Sequence, residues 1–288
     1  MKHLLIVSIL ISIFSCKTGE EVPKEWQWQK TLELDGVNPI GIVNANSNLW
    51  LSDGDHNRLV RIDSIGKIQE TVDSLERPMH IAFHDNIIYI PEYGIDDVSL
   101  VYTDGNKTTQ VGHGGNRLTI GSDSLDAPAG FSIVEKEMAI ADFYNNRILY
   151  QNGTDAEWMS FGTEGKAEGE LYYPTDVQIM EDGIWVADAY NHRVQVFDKQ
   201  GGFIKMIGQD QKMNAATGIY VKDDDVFVTD FENDRVLVFD RQGSLKQKIT
   251  ANIHKPTDML VYNGNLYVLN YQKGELVLFE WKESPKLE

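Results

Sequence analysis

Hydrophobic and polar positions along this chain fall into short runs that stop at glycine, proline, asparagine or aspartate, and the arrangement recurs six times. Units start at Pro39, Pro78, Pro128, Pro174, Ala216 and Pro256; in each, a short apolar run is followed by a turn and a second apolar run. Fourteen residues after each start stands an acid or an amide, at Asp53, Glu92, Asp142, Asp188, Asp230 and Asn270. Four units add an arginine five residues further on, at Arg58, Arg147, Arg193 and Arg235. Repetition every 39 to 50 residues, with strand-length runs inside each unit, describes an array whose units cannot bury their own faces and must stack. Six four-stranded units closed on themselves make an all-β, six-bladed β-propeller.

The unit from Tyr173 to Gly208 shows the pattern most clearly. Pro174 fixes φ at the start of an inner strand predicted over 176–180, and Glu181, Asp182 and Gly183 supply a hairpin turn. A second strand is expected over 184–186, a turn over 188–192, a third strand over 193–197 and an outer strand over 203–207. The sixth unit has candidate strands at 258–262, 266–269 and 275–281 but no outer one. At the other end, Trp26 to Leu34 alternates and belongs to no unit. Pairing it antiparallel beside Glu275 to Trp281 closes the ring with the N-terminal strand and removes two exposed edges.

The run from Tyr173 through Asp188, Asn191, His192, Arg193 and Val194 to Asp198 resembles the NHL repeat, a family named for an Asn-His-Leu triplet that typically forms six-bladed propellers. Gly162, Gly165, Gly169 and Pro174 resemble its glycine-rich loop between blades. The fifth unit (Val228, Thr229, Asp230, Asn233, Arg235, Val236) and the third (Ile140, Ala141, Asp142, Asn145, Arg147, Ile148) carry the same signature. The second and sixth depart from it, with Asp97 and Glu275 in place of arginine. The resemblance spans residues 25–280 and implies a fold; function has to be argued from a site.

Residues 1–15 stand outside the array. Met1, Lys2 and His3 form a basic start, and Leu4 to Phe14 form an apolar stretch too short to span a bilayer comfortably, which reads as a cleaved export signal. It ends at Cys16, the only cysteine. Ile13, Phe14, Ser15 and Cys16 resemble a bacterial lipobox, in which the cysteine becomes the lipidated amino terminus. A buried structural cysteine is the other reading, and the place of Cys16 at the end of the apolar stretch favours lipidation. Residues 16–24 then form a polar tether and 25–288 the propeller. The expected location is the bacterial cell envelope, at the outer membrane with periplasmic or surface exposure, and the lipid is the expected membrane attachment of a monomer.

With 42% apolar residues the chain can fill one closed core, and a single cysteine leaves no disulfide to help within it. The 44 acids against 26 lysines and arginines give a net charge of −18, which argues against a phosphate-binding face and hence against nucleic acid as a partner. Scattered acids also keep an exported protein soluble.

The recurrent Asp and Arg positions read as structural, bridging neighbouring blades and satisfying turn amides. More informative is the position two residues after each unit start, which runs Gly41, His80, Gly130, Asp176, Gly218, Asp258. Glycine alternates with an ionisable residue, so His80, Asp176 and Asp258 come from alternate blades and converge on the channel mouth, the glycines leaving room for them. One imidazole and two carboxylates suit a divalent cation, calcium or zinc; capping of local amides is the competing reading. A second candidate set is aromatic. Tyr93, Phe143, Phe231 and Tyr271 directly follow the strand-end acid or amide, and Tyr144 and Tyr190 come one residue later. They are candidate ligand-binding residues for sugars or peptide side chains, or wedges between blades. The run 112–117 lacks the lysine of a phosphate loop and reads as a crossing between blades, and Asp223 to Asp225 as a solvated turn. Neither His-Glu-x-x-His nor Gly-x-Ser-x-Gly occurs.

These observations favour a non-enzymatic binding or scaffold module for a protein, peptide, carbohydrate or small polar ligand. The alternative is a metal-dependent propeller enzyme, a lyase or a hydrolase. In peptide-amidating lyases, which use similar propellers, the metal histidines directly follow the repeat proline; here those positions are Ile40, Met79, Ala129, Thr175, Thr217 and Thr257. Some propeller lactonases hold acids and a calcium in the mouth, which keeps a hydrolase open. RNA binding, implied by certain eukaryotic NHL domains, conflicts with charge and export.

Overall fold

Six antiparallel sheets of four strands each stand in a ring. The computed structural model describes residues 23–104, 108–111, 118, 120 and 124–284; the stretch 1–15 expected to be a signal, Cys16, most of the expected tether and the 112–117 run lie outside the described residues. Among the described residues, the only helices are single 3₁₀ turns such as Gly54–His56 and Ala189–Asn191.

Blade four has its third and outer strands, Arg193–Phe197 and Phe203–Ile207, where the alternation places them. Its inner strand is longer than expected and begins at Pro174 itself, because Pro174 pairs with Asp188 before the register slips between Pro174 and Asp176. The same slip occurs near the start of the inner strands Pro39–Ala45, Pro128–Val134, Ala216–Lys222 and Pro256–Tyr262. Such a bulge turns a side chain out of the plain alternation, and here it falls at the position that alternates between glycine and an ionisable residue.

The ring closes as the missing strand implied. Lys24–Glu33 pairs antiparallel with Glu275–Glu283, Trp26 opposite Trp281 and Glu33 opposite Glu275, so blade six is built from both ends of the propeller. The core lies between blades. Trp185, Val194 and Val196 of blade four pack with Ile219, Val228 and Phe239 of blade five, and Trp26 of the closing strand packs with Phe227, Val236 and Val238 of blade five.

Polar links fix the crossings between blades. Each strand-end acid or amide accepts a main-chain N–H from the segment leading into its own blade: Asn38 to Asp53, Glu76 to Glu92, Asp126 to Asp142, Tyr172 to Asp188, Asn214 to Asp230 and His254 to Asn270. The arginine five residues on pairs with that acid within the blade, at 2.8 Å for Arg193 and Asp188, and donates to carbonyls of the same crossing, such as Lys166, Ala167 and Glu170. In blade six the roles reverse, Asn270 donating to Glu275 at 2.8 Å.

A second link joins consecutive blades. Four residues after each strand-end acid, a residue with φ between 52° and 57° offers its side chain to the main-chain N–H of the residue before the next unit start. The pairs are Asn57 with Arg77, Asp96 with Ala127, Asn146 with Tyr173, His192 with Ala215 and Asp234 with Lys255, at 2.8 to 3.0 Å. At the closing junction the equivalent residue is Gly274, where a Cβ would come within 2.6 Å of the Val37 carbonyl, and the link is main chain to main chain, Leu34 N–H to Gly274 O at 2.7 Å.

Candidate functional site

The three ionisable residues after the bulges meet inside the ring. The Nδ1 of His80 lies 3.6 Å from Asp258 Oδ2 and 3.8 Å from Asp176 Oδ2, and one donor atom from each residue falls within 4.8 Å of the others. All three residues are buried, so the set lies within the channel rather than at its mouth.

The glycines of the intervening blades act differently from what the sequence suggests. They do not leave room for the three side chains; the next blade's backbone fills that room. A Cβ at Gly41 would lie 2.6 Å from Met79 O, at Gly130 2.8 Å from Thr175 O and at Gly218 2.3 Å from Thr257 O. Blades one and two, three and four, and five and six therefore approach backbone to backbone, and that approach sets where His80, Asp176 and Asp258 sit.

The carboxylates also cap. Asp176 accepts N–H groups from Val177 and Ile219, and Asp258 from Met259 and Ile42, at 2.7 to 2.9 Å. Each oxygen keeps a further lone pair. His80 is different: its Nδ1 is buried and has no hydrogen-bond partner, and at 3.6 Å its relation to Asp258 is an attraction of charges. Burial pushes the Asp176 carboxyl up to about 7, opposed by His80 and reinforced by Asp258. Burial alone would lower the His80 pKa, but the two carboxylates outweigh it and hold it above the ordinary value.

Two bonds of zinc length meeting at a tetrahedral angle put their donor atoms about 3.4 Å apart, and the longer bonds of calcium give a similar spacing at a narrower angle. The separations of 3.6 and 3.8 Å therefore fit a divalent cation after a shift of a few tenths of an ångström. A cation bound here would displace the protons that His80 and Asp176 hold.

The set forms one end of a cavity of about 340 Å³. Its walls come from positions two to six after the unit starts, so it runs from His80, Asp176 and Asp258 toward the hairpin turns, away from the face that carries the repeat prolines. Asn44, Ser132, Gln178, Tyr220 and Tyr262 give it polar groups, and the Asn44 Oδ1 is buried without a partner. Sequence reading missed these five, although polar side chains inside otherwise apolar inner strands were the available signal.

The aromatic set divides in two, and none of it lines this cavity. Tyr93, Phe143, Tyr144 and Tyr190 gather over blades two to four, with the Tyr93 and Tyr144 hydroxyls 2.5 Å apart. Two further rings complete this group: Tyr173 stacks on Phe143 at 4.7 Å and on Tyr172 at 4.4 Å. Tyr144 and Tyr190 are exposed. Phe231 and Tyr271 lie apart, 6.4 Å from each other, and the Tyr271 hydroxyl donates to Asp55 across the closing junction at 2.7 Å. That pair is a wedge between blades, whereas the larger group offers an exposed surface.

A profile of the NHL repeat matches residues 171–197, from the crossing before blade four through its third strand. The chain is a six-bladed propeller with an NHL repeat in its fourth blade. Protein lin-41 of Caenorhabditis elegans is 47% identical to it over 47 residues, 16% of this chain and 4% of that protein. RING finger protein nhl-1 of the same organism is 35% identical over 74 residues, 21% of this chain and 8% of that protein. The chain thus matches less than a tenth of the length of these curated relatives. Among solved structures, virginiamycin B lyase from Staphylococcus aureus shares 12% identity with this propeller at a TM-score of 0.64, over 89% of this chain and 99% of that one. A protein of unknown function from Bacteroides thetaiotaomicron shares 12% at a TM-score of 0.65, over 91% and 77%. At such identities the likeness is one of fold.

Proposed function

We propose that this propeller is an exported, lipid-anchored binding module that holds a divalent cation at His80, Asp176 and Asp258 and takes a small polar ligand in the cavity beyond it. The observation that carries this reading is the buried His80 Nδ1 without a partner, facing two carboxylate oxygens at 3.6 and 3.8 Å. A buried polar atom left unsatisfied costs about 1–3 kcal/mol, and a cation would relieve that cost at His80 while offsetting the charge of the two buried carboxylates. Zinc would take these donors and leave a position open toward the cavity; calcium would need further oxygens from water or ligand. The exposed tyrosines over blades two to four offer a second surface, suited to a peptide or a carbohydrate.

An enzymatic reading, a metal-dependent lyase or hydrolase, is favoured by one feature only. Asp176, held at about 7 in the metal-free site, has the proton affinity of a group that exchanges a proton near neutrality.

The test is metal analysis of protein purified without chelator, with a parallel thermal shift against zinc and calcium. Binding predicts a metal-dependent rise in melting temperature that Asp176→Asn combined with Asp258→Asn abolishes. An unchanged shift in that variant would reduce the two carboxylates to caps.

A further inference from the structure

We infer that the outer edge of the closing blade, around Trp28 and Trp281, rests on the bilayer surface; this builds on the lipid-anchor reading of Cys16. Trp28 is 49% exposed and Trp281 44%. Trp26 lies opposite Trp281 and Trp28 opposite Phe279 in the same two-strand ladder, so all four project from one side of the sheet. Trp26 and Phe279 fill the core against blade five, and the other two carry the same aromatic row out beyond it. The outer strand of blade five, Leu245–Ile249, adjoins this row. Its Gln247 both accepts from Trp26 N–H and donates to Trp26 O at 2.8 Å, and its Leu245 is 38% exposed.

The chain itself says what covers this edge. Pro23 O accepts the Ser284 N–H at 2.7 Å, so the chain joins the propeller beside Trp281. Six residues separate Cys16 from Pro23, and the seven Cα-to-Cα steps reach about 25 Å at full extension. A lipid on Cys16 therefore holds this edge, and not the tyrosine surface at the opposite end of the strands, within that distance of the headgroups. Tryptophan has its most favourable place at the boundary between headgroups and acyl chains. Charge permits the approach. Over the three strands Lys24–Glu33, Glu275–Glu283 and Leu245–Ile249, five lysines balance five glutamates on a chain whose net charge is −18, so these strands lack the acidic excess that anionic headgroups repel.

The test separates the surface from the lipid. The chain from Lys17 onward contains every strand of the closed ring; an amino-terminal hexahistidine tag fixes it to phosphatidylethanolamine–phosphatidylglycerol vesicles containing a nickel-chelating lipid and acyl chains brominated near the headgroup. Quenching of tryptophan fluorescence, relative to the same vesicles without bromine, is compared between wild type and Trp28→Phe combined with Trp281→Phe, the fold of each checked by circular dichroism. The inference expects quenching of up to about one third of the signal, from two tryptophans of six, and its loss in the variant. No quenching in the wild type, or equal quenching in both proteins, overturns it. Because the tag replaces the lipid, neither result depends on Cys16, whose modification is tested separately by fatty-acid labelling in cells.

Discussion

The Nδ1 of His192 in blade four accepts the main-chain N–H of Ala215 in blade five at 3.0 Å. His192 is the histidine of the NHL-like triplet, and its role here is to fasten one blade to the next. Asn57, Asp96, Asn146 and Asp234 do the same at four other junctions. The position requires a side-chain acceptor on a residue that tolerates positive φ, which is why asparagine and aspartate alternate with histidine there.

His192→Ala is expected to lower stability by about 0.5–1 kcal/mol, the worth of an exposed hydrogen bond. His192→Asn should restore most of it. Urea midpoints at constant m-value measure both, and equal midpoints for wild type and the alanine variant would show that this link adds nothing.

Gly218→Ala is expected to cost about 1–3 kcal/mol by overpacking, since its Cβ would lie 2.3 Å from Thr257 O. The strain falls one residue before Asp258, so metal affinity should fall with it although no donor is changed. Thermal shifts with and without metal check this; a destabilised variant with wild-type affinity would separate blade spacing from the site.

Most of the fold was legible in the chain because its signals are local. Alternation and turn residues mark strands such as 203–207, and the missing sixth outer strand announced its replacement by Trp26 to Leu34. The strand starts were less legible, because the bulge after Pro174 depends on pairing with Asp188. At the site, alignment of the units was enough to bring His80, Asp176 and Asp258 together on paper. What the glycines do depends on the distance between neighbouring backbones, which no local pattern encodes. The same holds for the direction in which the cavity opens, and for the separation of Phe231 and Tyr271 from the other aromatic residues.

Deletion through Glu33 is expected to uncover the Glu275–Glu283 edge and the Trp26 packing against Phe227. Losing one buried tryptophan alone costs about 3–5 kcal/mol, and an open strand edge invites association. Sedimentation and thermal unfolding of the shortened chain should show aggregation or a large loss of stability; a stable monomer would mean that the ring does not depend on this strand.

The pH dependence follows from the metal-free site. Asp176, raised from 3.8 to about 7 chiefly by burial, holds its proton in the folded chain where the unfolded chain has released it, so stability falls as pH rises between those values. His80, raised above 6.5 by its two carboxylates despite burial, contributes stability that is full below 6.5 and is lost as pH rises through its folded value. Metal-free protein should therefore melt at a higher temperature at pH 5.5 than at pH 8. Added cation should raise the melting temperature more at pH 8, where it competes with fewer protons. Melting curves at the two pH values, with and without metal, test the signs.

The most direct measurement is anomalous diffraction from crystals of the protein purified without chelator and soaked in zinc, collected on both sides of the zinc absorption edge. The account predicts one strong peak inside the ring, about 2.0–2.2 Å from His80 Nδ1, Asp176 Oδ2 and Asp258 Oδ2, which disappears in the Asp176→Asn, Asp258→Asn variant. No peak among these three residues, or a peak there that survives in the variant, would contradict it.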